Sequence, residues 1–166
     1  MVSLILAMGC IFTAVQTLHF PDYGFRIQEQ EQKKVIFDPV RKKFIPLTPE
    51  EWVRQHCIAH LIQHYAIPQG VIAVEREIQA YGMRKRFDIV VIANNASPLI
   101  LIECKAPEVK ITRNTLIQAA TYNNKLDSRF VWITNGLEHA WFEKVNGNLQ
   151  LINPPDPAVF TQREQQ

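Results

Sequence analysis

The chain has 166 residues, of which 47% are hydrophobic and 20% charged, and its formal net charge is +2. This length suits one folded domain. The net charge is too small to attract nucleic acid by itself, so any such binding needs a local basic patch. The three cysteines, Cys10, Cys57 and Cys104, are too few and too widely spaced for a disulfide framework or a zinc motif, and they favour a reducing, cytoplasmic compartment.

The first fifteen residues are almost wholly apolar. They lack the basic start of a secretory signal and are too short to span a bilayer comfortably, so we expect no membrane association. The alternatives are a signal or lipid anchor, a short buried or amphipathic helix, and a start codon assigned too early. A polar arm or loop is predicted to follow over residues 19–32, and together these form an N-terminal region, residues 1–32.

A hairpin and a helix come next. Two β-like runs around a proline-centred turn predict the hairpin over residues 33–46. Thr48 is a good N-cap, Pro49 suits the first helical position, and Glu51 completes a capping box. Apolar residues at helical spacing carry this helix to about Tyr65.

The rest of the chain mixes strands with a second helix, which predicts an α/β fold with a central sheet flanked by helices and a C-terminal β-meander. Asn-Gly pairs at the two meander turns are typical of type I′ hairpins. The predicted elements are strands at 71–79, 84–93 and 98–105, a helix at 112–126, and strands at 129–134, 138–145 and 148–152. We therefore expect a domain over residues 33–152 and a flexible tail over residues 153–166.

Charged residues interrupt the two most apolar strands. Glu103 and Lys105 are two residues apart, so their side chains point to one face of a strand and Cys104 points to the other. Pairing the two strands about their turn brings Asp88 to the same end of the sheet. A buried strand avoids charges unless they are paired or bind a metal. Two carboxylates and an ammonium in one place, with the Cys104 carbonyl as a further ligand, are the layout of a divalent-metal hydrolytic site.

Each of these residues also has a structural interpretation. Asp88 follows a basic run and could be a strand-end carboxylate paired with an arginine, and Glu103 could form a same-face ion pair with Lys105. Fourteen residues separate Asp88 from Glu103, about what a hairpin needs to bring its open ends together. This spacing favours a shared site.

Further polar residues have two readings. Gln118 and Tyr122 share a face of the second helix and either lean into the site or serve as a solvated polar residue and a core aromatic. Glu51 is either a helix cap or an additional carboxylate. Glu75 and Glu77 are interpreted as edge charges. Three histidines at four-residue steps predict a solvated or half-buried helix face, because no HExxH motif accompanies them; they are His56, His60 and His64.

Three motifs in order resemble the PD-(D/E)xK nuclease superfamily, and more narrowly the amino-terminal nuclease domain of type I restriction endonuclease R subunits. These motifs are Gly82 followed by Asp88, Glu103-x-Lys105, and Gln118-xxx-Tyr122. The stretches at 48–55, 101–107 and 134–139 also look like that family, and the resemblance covers roughly residues 33–152. It implies a restriction-endonuclease-like fold and Mg²⁺-dependent cleavage of DNA, with Mn²⁺ as a substitute.

The resemblance also implies roles for individual residues. They are the metal ligands Asp88, Glu103, the Cys104 carbonyl and, as an additional candidate, Glu51; the catalytic Lys105; and the accessory pair Gln118 and Tyr122. The implied partners are DNA and a separate motor or specificity subunit. The motor would be separate because the sequence has no GxxxxGK[ST] phosphate loop. Two alternatives stay open: a non-catalytic nucleic-acid-binding or assembly module, and an α/β protein whose charges are only salt bridges.

Overall fold

The computed structural model describes residues 16–75, 77–80 and 83–161, and describes the backbone alone for residues 77–80, 83–85, 122, 124, 125 and 161. The predictions for residues 1–15, for Gly82 and for the last residues of the tail lie outside this range. Within it, a six-stranded mixed sheet and a three-stranded antiparallel sheet are flanked by helices. The predicted α/β class, with an N-terminal hairpin and a C-terminal meander, is confirmed.

The three-stranded sheet consists of β1 (Ile27–Gln30), β2 (Lys33–Asp38) and β3 (Lys43–Pro46), in that order. The predicted hairpin corresponds to β2 and β3. The strand β1 falls in the segment predicted to be a polar arm, so that prediction missed it. All four residues of β1 are exposed, and the segment therefore lacks the alternation that identifies a half-buried strand.

The first helix, α1 (Pro49–Gln63), begins where the sequence predicts. The Thr48 hydroxyl accepts a hydrogen bond of 3.1 Å from the backbone N–H of Glu51. The Glu51 side chain does not complete the capping box, because its carboxylate binds arginine side chains instead. Val53 and Leu61 of α1 are fully buried against the central sheet.

The remaining elements follow in chain order. They are a 3₁₀ turn (Gln69–Val71), β4 (Ile72–Val74), β5 (Glu77–Ala80), β6 (Met83–Arg86), β7 (Ile89–Ile92), β8 (Pro98–Cys104), α2 (Arg113–Leu126), β9 (Phe130–Thr134), β10 (His139–Val145), β11 (Asn148–Ile152) and α3 (Ala158–Thr161). The central sheet has the order β11-β10-β9-β8-β7-β4, and only β8 and β9 are parallel among its paired strands. Among the helices of the described chain, none is long and apolar enough to cross a membrane.

Two predicted strands are each divided in the structure. The strand predicted over residues 71–79 splits into β4 and β5, and the one predicted over 84–93 splits into β6 and β7. Among the described residues, strands β5 and β6 pair with each other as a two-stranded ribbon and not with the central sheet. The chain leaves the sheet after β4 at Glu75, whose backbone has a φ of 50°. Glu75, which follows β4, and Asp88, which precedes β7, therefore lie at the same end of the central sheet.

Alternate residues of β8 pack against the two helices on opposite faces. Ile100, Ile102 and Cys104 belong to the core cluster beneath α1, whereas Leu101 belongs to the cluster beneath α2. Each fully buried Ile or Leu side chain contributes about 1.5–3 kcal/mol by leaving water. The short α3 lies in the predicted tail, and its Phe160 is buried in the α1-side core.

The two Asn-Gly turns differ. Asn146 and Gly147 both have positive φ, at 51° and 80°, as a type I′ hairpin requires. At the other turn only Gly136 has positive φ, and four residues link β9 to β10. A Cβ at Gly136 would lie 2.8 Å from the Leu18 side chain, so glycine here also lets residues 18–20 approach the sheet.

Candidate functional site

Three carboxylates lie in a row at one end of three neighbouring strands of the central sheet. Glu75 follows β4, Asp88 precedes β7, and Glu103 lies near the end of β8. In the pair β7–β8, Ile89 lies opposite Ile102. The next residues along the two strands are Asp88 and Glu103, so the structure brings these predicted residues together. On the other side of Asp88, the backbone N–H of Glu75 donates to the Asp88 carbonyl at 2.9 Å. Carboxylates facing one another across strands repel unless cations balance them.

Asp88 is held by two hydrogen bonds. Its Oδ1 accepts from Nη2 of Arg54 at 2.7 Å, and its Oδ2 accepts from the backbone N–H of Cys104 at 2.8 Å. The first contact ties Asp88 to α1, and the second ties it to the strand that carries Glu103. The carboxylate is therefore fixed in orientation.

Glu103 and Lys105 form the second charged pair, with Nζ of Lys105 donating to Oε1 of Glu103 at 2.8 Å. Burial raises the pKa of Glu103, and the charge of Asp88 raises it further against the opposing effect of Lys105. Burial alone would lower the pKa of Lys105, but its hydrogen bond to Glu103 and the surrounding carboxylates outweigh this, so its pKa lies above the usual range. The negative charge of Glu50 in α1 acts on both groups.

Arg54 is the central cation of the row. Its side chain is 5% exposed, yet its guanidinium meets four carboxylates. Nη2 lies 2.8 Å from Glu50 and 2.7 Å from Asp88, and Nη1 contacts Glu51 and lies 3.6 Å from Glu75. Burial opposes the charge of Arg54, but Asp88 and Glu51 outweigh it and its pKa is raised. Nε of Arg54 is buried and has no hydrogen-bond partner.

A second arginine joins the N-terminal sheet to α1. Arg41 contacts Asp38 at 2.6 Å, Glu51 at 2.7 Å, and Glu75. Nε2 of Gln55 donates to Asp38 and to Glu51, each at 2.9 Å. The carboxylate of Glu51 thus has an arginine on each oxygen. Its suggested role as a metal ligand stays a prediction.

The accessory pair predicted on α2 is less defined. Gln118 is exposed on that helix. Tyr122 lies one turn further along α2, and its side chain is outside the described part of the structure. The accessory roles of both residues stay predictions.

The histidine stripe of α1 is part of an aromatic cluster. His60 is partly buried and His64 is exposed, as the sequence predicts, but His56 is buried, so the prediction is wrong for that residue. The Tyr23 hydroxyl is hydrogen-bonded to Nδ1 of His60 at 2.6 Å, and Phe20 packs edge-on against the same imidazole ring. Burial lowers the pKa of His60 to about 4. His56 and His60 hold the segment before β1 onto α1.

Sequence reasoning missed Arg54, Arg41 and Glu75. Glu75 was interpreted as an edge charge, and only the pairing of β4 with β7 places it beside Asp88. An acidic residue ending the strand next to that of Asp88 is a weak signal that could have indicated it. Arg54 lies on α1 and Arg41 lies between β2 and β3, so their positions depend on how α1 and the three-stranded sheet pack, and no sequence pattern marks them.

The donor set fits a hard divalent cation. Asp88 and Glu103 are neighbours, and each already binds a cationic side chain, Arg54 or Lys105. Within residues 16–161, as far as they are described, no group of three or more His, Cys, Asp or Glu side chains is placed to hold a metal. Mg²⁺ commonly takes one or two protein carboxylates and completes its shell with water and substrate phosphate. The two carboxylates meet that requirement.

Comparison with known proteins gives one matching family and one similar solved structure. Residues 49–153 match the family described as "Type I restriction enzyme R protein N terminus (HSDR_N)". The fold is similar to a solved fragment assigned to the HsdR subunit of a type I restriction enzyme from Vibrio vulnificus YJ016, with a TM-score of 0.51 and 21% identity. That similarity covers 70% of this chain and 25% of the solved chain, so this chain spans about a quarter of its relative. No curated protein matches the sequence.

Proposed function

Because this chain belongs to the family of type I restriction enzyme R protein N termini, we propose that it is a Mg²⁺-dependent nuclease that hydrolyses phosphodiester bonds in DNA. The observation that carries this proposal is the adjacency of Asp88 and Glu103, with the Lys105 ammonium 2.8 Å from the Glu103 carboxylate. Family membership supports a nuclease role in restriction. The metal and the roles of individual residues rest on the chemistry of the site.

The acidic and basic residues of the site would have different roles. Asp88 and Glu103 would hold the cation, and the Cys104 carbonyl is a further candidate ligand. A bound Mg²⁺ or Mn²⁺ would activate a water molecule and neutralise charge on the phosphodiester. Lys105, whose ammonium donates to the Glu103 carboxylate, would stabilise the negative charge that develops on the phosphate. The hydrogen bonds to Asp88 keep its carboxylate oriented, which favours one arrangement of ligand and substrate.

DNA would be held through its phosphates. Lys110 and Arg113 are exposed around the start of α2, where the helix N-terminus also favours anions. Arg86 is exposed as well and pairs with Glu75 beside the row of carboxylates. Contacts of this kind position the backbone without reading the base sequence. Arg84 and Lys85 precede Arg86 in the sequence and are proposed to hold the DNA backbone together with it.

The partners are proposed from the family, which is described as part of a type I restriction enzyme. The solved HsdR fragment is about four times as long as the part this chain matches. We propose that this chain works in the cytoplasm with a separate motor or specificity subunit. A non-catalytic DNA-binding module is the second candidate, favoured by one observation: Asp88 and Glu103 are both already paired with cationic side chains.

A cleavage assay separates the two candidates. Supercoiled, linear and single-stranded DNA would be incubated at low salt with Mg²⁺, with Mn²⁺ and with EDTA. We expect the wild type to cut at least one form with metal and Lys105→Ala to cut none. Lys144→Ala, which removes a lysine paired with Asp127, is the matched control and should cut normally. DNA binding without cleavage by the wild type would support the non-catalytic module.

A further inference from the structure

The carboxylate of Asp88 already forms an ion pair with a cation of the protein, the guanidinium of Arg54. Nη2 of Arg54 lies 2.7 Å from Oδ1 of Asp88, and Nη1 reaches towards Glu75 at 3.6 Å. Arg54 thus sits on the β4 side of Asp88, and Glu103 with Lys105 lies on the β8 side. Of the two carboxylates that would hold a metal, one faces a fixed guanidinium.

Arg54 is built to stay where it is. The side chain is nearly buried, and Glu51 on its own helix binds the other terminal nitrogen. A long, exposed arginine could swing away at little cost, but a buried one in contact with several carboxylates cannot leave without uncovering unpaired charges. Its positive charge therefore acts on anything that binds Asp88.

We propose that Arg54 is a positioning residue that competes with the divalent cation for Asp88 and so sets the metal affinity of the site, an inference that rests on the proposed metal-dependent function. Arg54 orients the carboxylate through one hydrogen bond and weakens its attraction for a second cation through like charge. The same residue balances Asp88 against Glu75 when no metal is bound. The acidic row is therefore stable without metal, and a metal binds less tightly than the carboxylates alone would allow.

The sign of one measurement distinguishes this role from a structural one. If Arg54 only supports the fold, replacing it disorders Asp88 and weakens metal binding. If Arg54 competes, replacing it by a neutral side chain tightens binding, because a like charge near the metal is gone and the freed carboxylate needs a cation. We expect Arg54→Gln to bind Mn²⁺ about tenfold more tightly than the wild type.

Arg41 provides the matched control. It is a second guanidinium of the network and contacts Glu51 and Glu75, as Arg54 does, but its described contacts do not include Asp88. Arg41→Gln should therefore destabilise the protein and leave Mn²⁺ affinity within about twofold of the wild type. Affinities would be measured on the full chain by calorimetry and by the electron paramagnetic resonance signal of free Mn²⁺.

A second pair of variants keeps the test open if Arg54→Gln does not fold. Glu75→Gln removes one carboxylate from the row, and adding Arg54→Gln to it removes one cation, which restores the charge balance. We expect the double variant to bind Mn²⁺ more tightly than Glu75→Gln alone. If the double variant binds Mn²⁺ equally well or more weakly than Glu75→Gln alone, the proposed competition between Arg54 and the metal is overturned.

Asp88→Asn separates failure of this inference from failure of the proposed function. If the wild type binds Mn²⁺, Asp88→Asn does not, and Arg54→Gln binds equally or more weakly, only the role of Arg54 is wrong. If neither the wild type nor the Arg54 variants bind Mn²⁺, the metal-dependent function and this inference both fail. Binding by the Arg54 variants alone supports the inference.

Discussion

Helices α1 and α2 cover opposite faces of the same sheet and relate differently to the candidate site. In α1, buried apolar side chains face the sheet and Arg54 reaches Asp88 with a 2.7 Å contact. In α2, Ile117 is 53% exposed and Gln118 is also exposed. The helix on which the sequence places only one additional candidate ligand, Glu51, supplies the cation that binds Asp88. The helix predicted to carry the accessory residues lies more open to solvent.

The open side of α2 has a physical cause. An apolar groove separates part of the helix from the sheet, lined among others by Leu116, Phe142 and Leu149. On the opposite face, aromatic residues before β1 pack against histidines of α1 and cover part of that helix. Attachment to the fold and support of the site are thus concentrated in α1.

The largest expected effect comes from the sheet between the two helices. Glu103→Gln should lower cleavage by about a thousandfold or more, because the metal loses one of two carboxylates. The same change should leave the metal-free protein equally stable or more stable, since burial and Asp88 raise the pKa of Glu103 and so make its ionised form less favourable in the folded protein. Cleavage rates and melting temperatures without metal check both parts. A large loss of stability would instead assign Glu103 to a structural salt bridge.

A stability measurement compares the helices directly. Leu61 of α1 is fully buried, so Leu61→Ala should lower the free energy of unfolding by about 2–5 kcal/mol. Ile117 of α2 is half exposed, and Ile117→Ala should change it by no more than about 0.5 kcal/mol. Urea unfolding of both variants provides the test. Similar losses would mean that α2 is as firmly packed as α1.

Acid should weaken the attachment of the segment that covers α1. The pKa of His60 is about 4 in the folded protein, against an ordinary value of 6.5. Between these values His60 binds a proton in the unfolded chain and not in the folded one, so its contribution to stability should fall as pH drops from about 6.5 to about 4 and stay constant below. His60→Gln should make this fall shallower but not abolish it, because burial also lowers the pKa values of His56 and His139. Melting temperatures across this range measure the effect, and an unchanged slope would contradict it.

The sequence predicted the parts of the site that depend on neighbouring stretches of chain. Alternation within β8 and the spacing of the β7–β8 hairpin were enough to place Asp88 beside Glu103. Glu75 and Arg54 were not predictable in this way, because they reach Asp88 only through the pairing of β4 with β7 and the packing of α1. Strand β1 was missed for a different reason: its residues are exposed throughout and carry no periodic apolar signal.

The smallest expected effect concerns Gln118. An exposed side chain on α2 can touch bound DNA but contributes little to the fold, so Gln118→Ala should leave the melting temperature unchanged. Loss of one hydrogen bond to DNA should lower cleavage by about 2- to 10-fold, mostly through weaker DNA binding. Ile117→Ala, next to it on the same helix, controls for removal of an exposed side chain. If Gln118→Ala were as damaging as Glu103→Gln, the side chain would have to act at the reacting phosphate, and α2 would support the site at least as closely as α1.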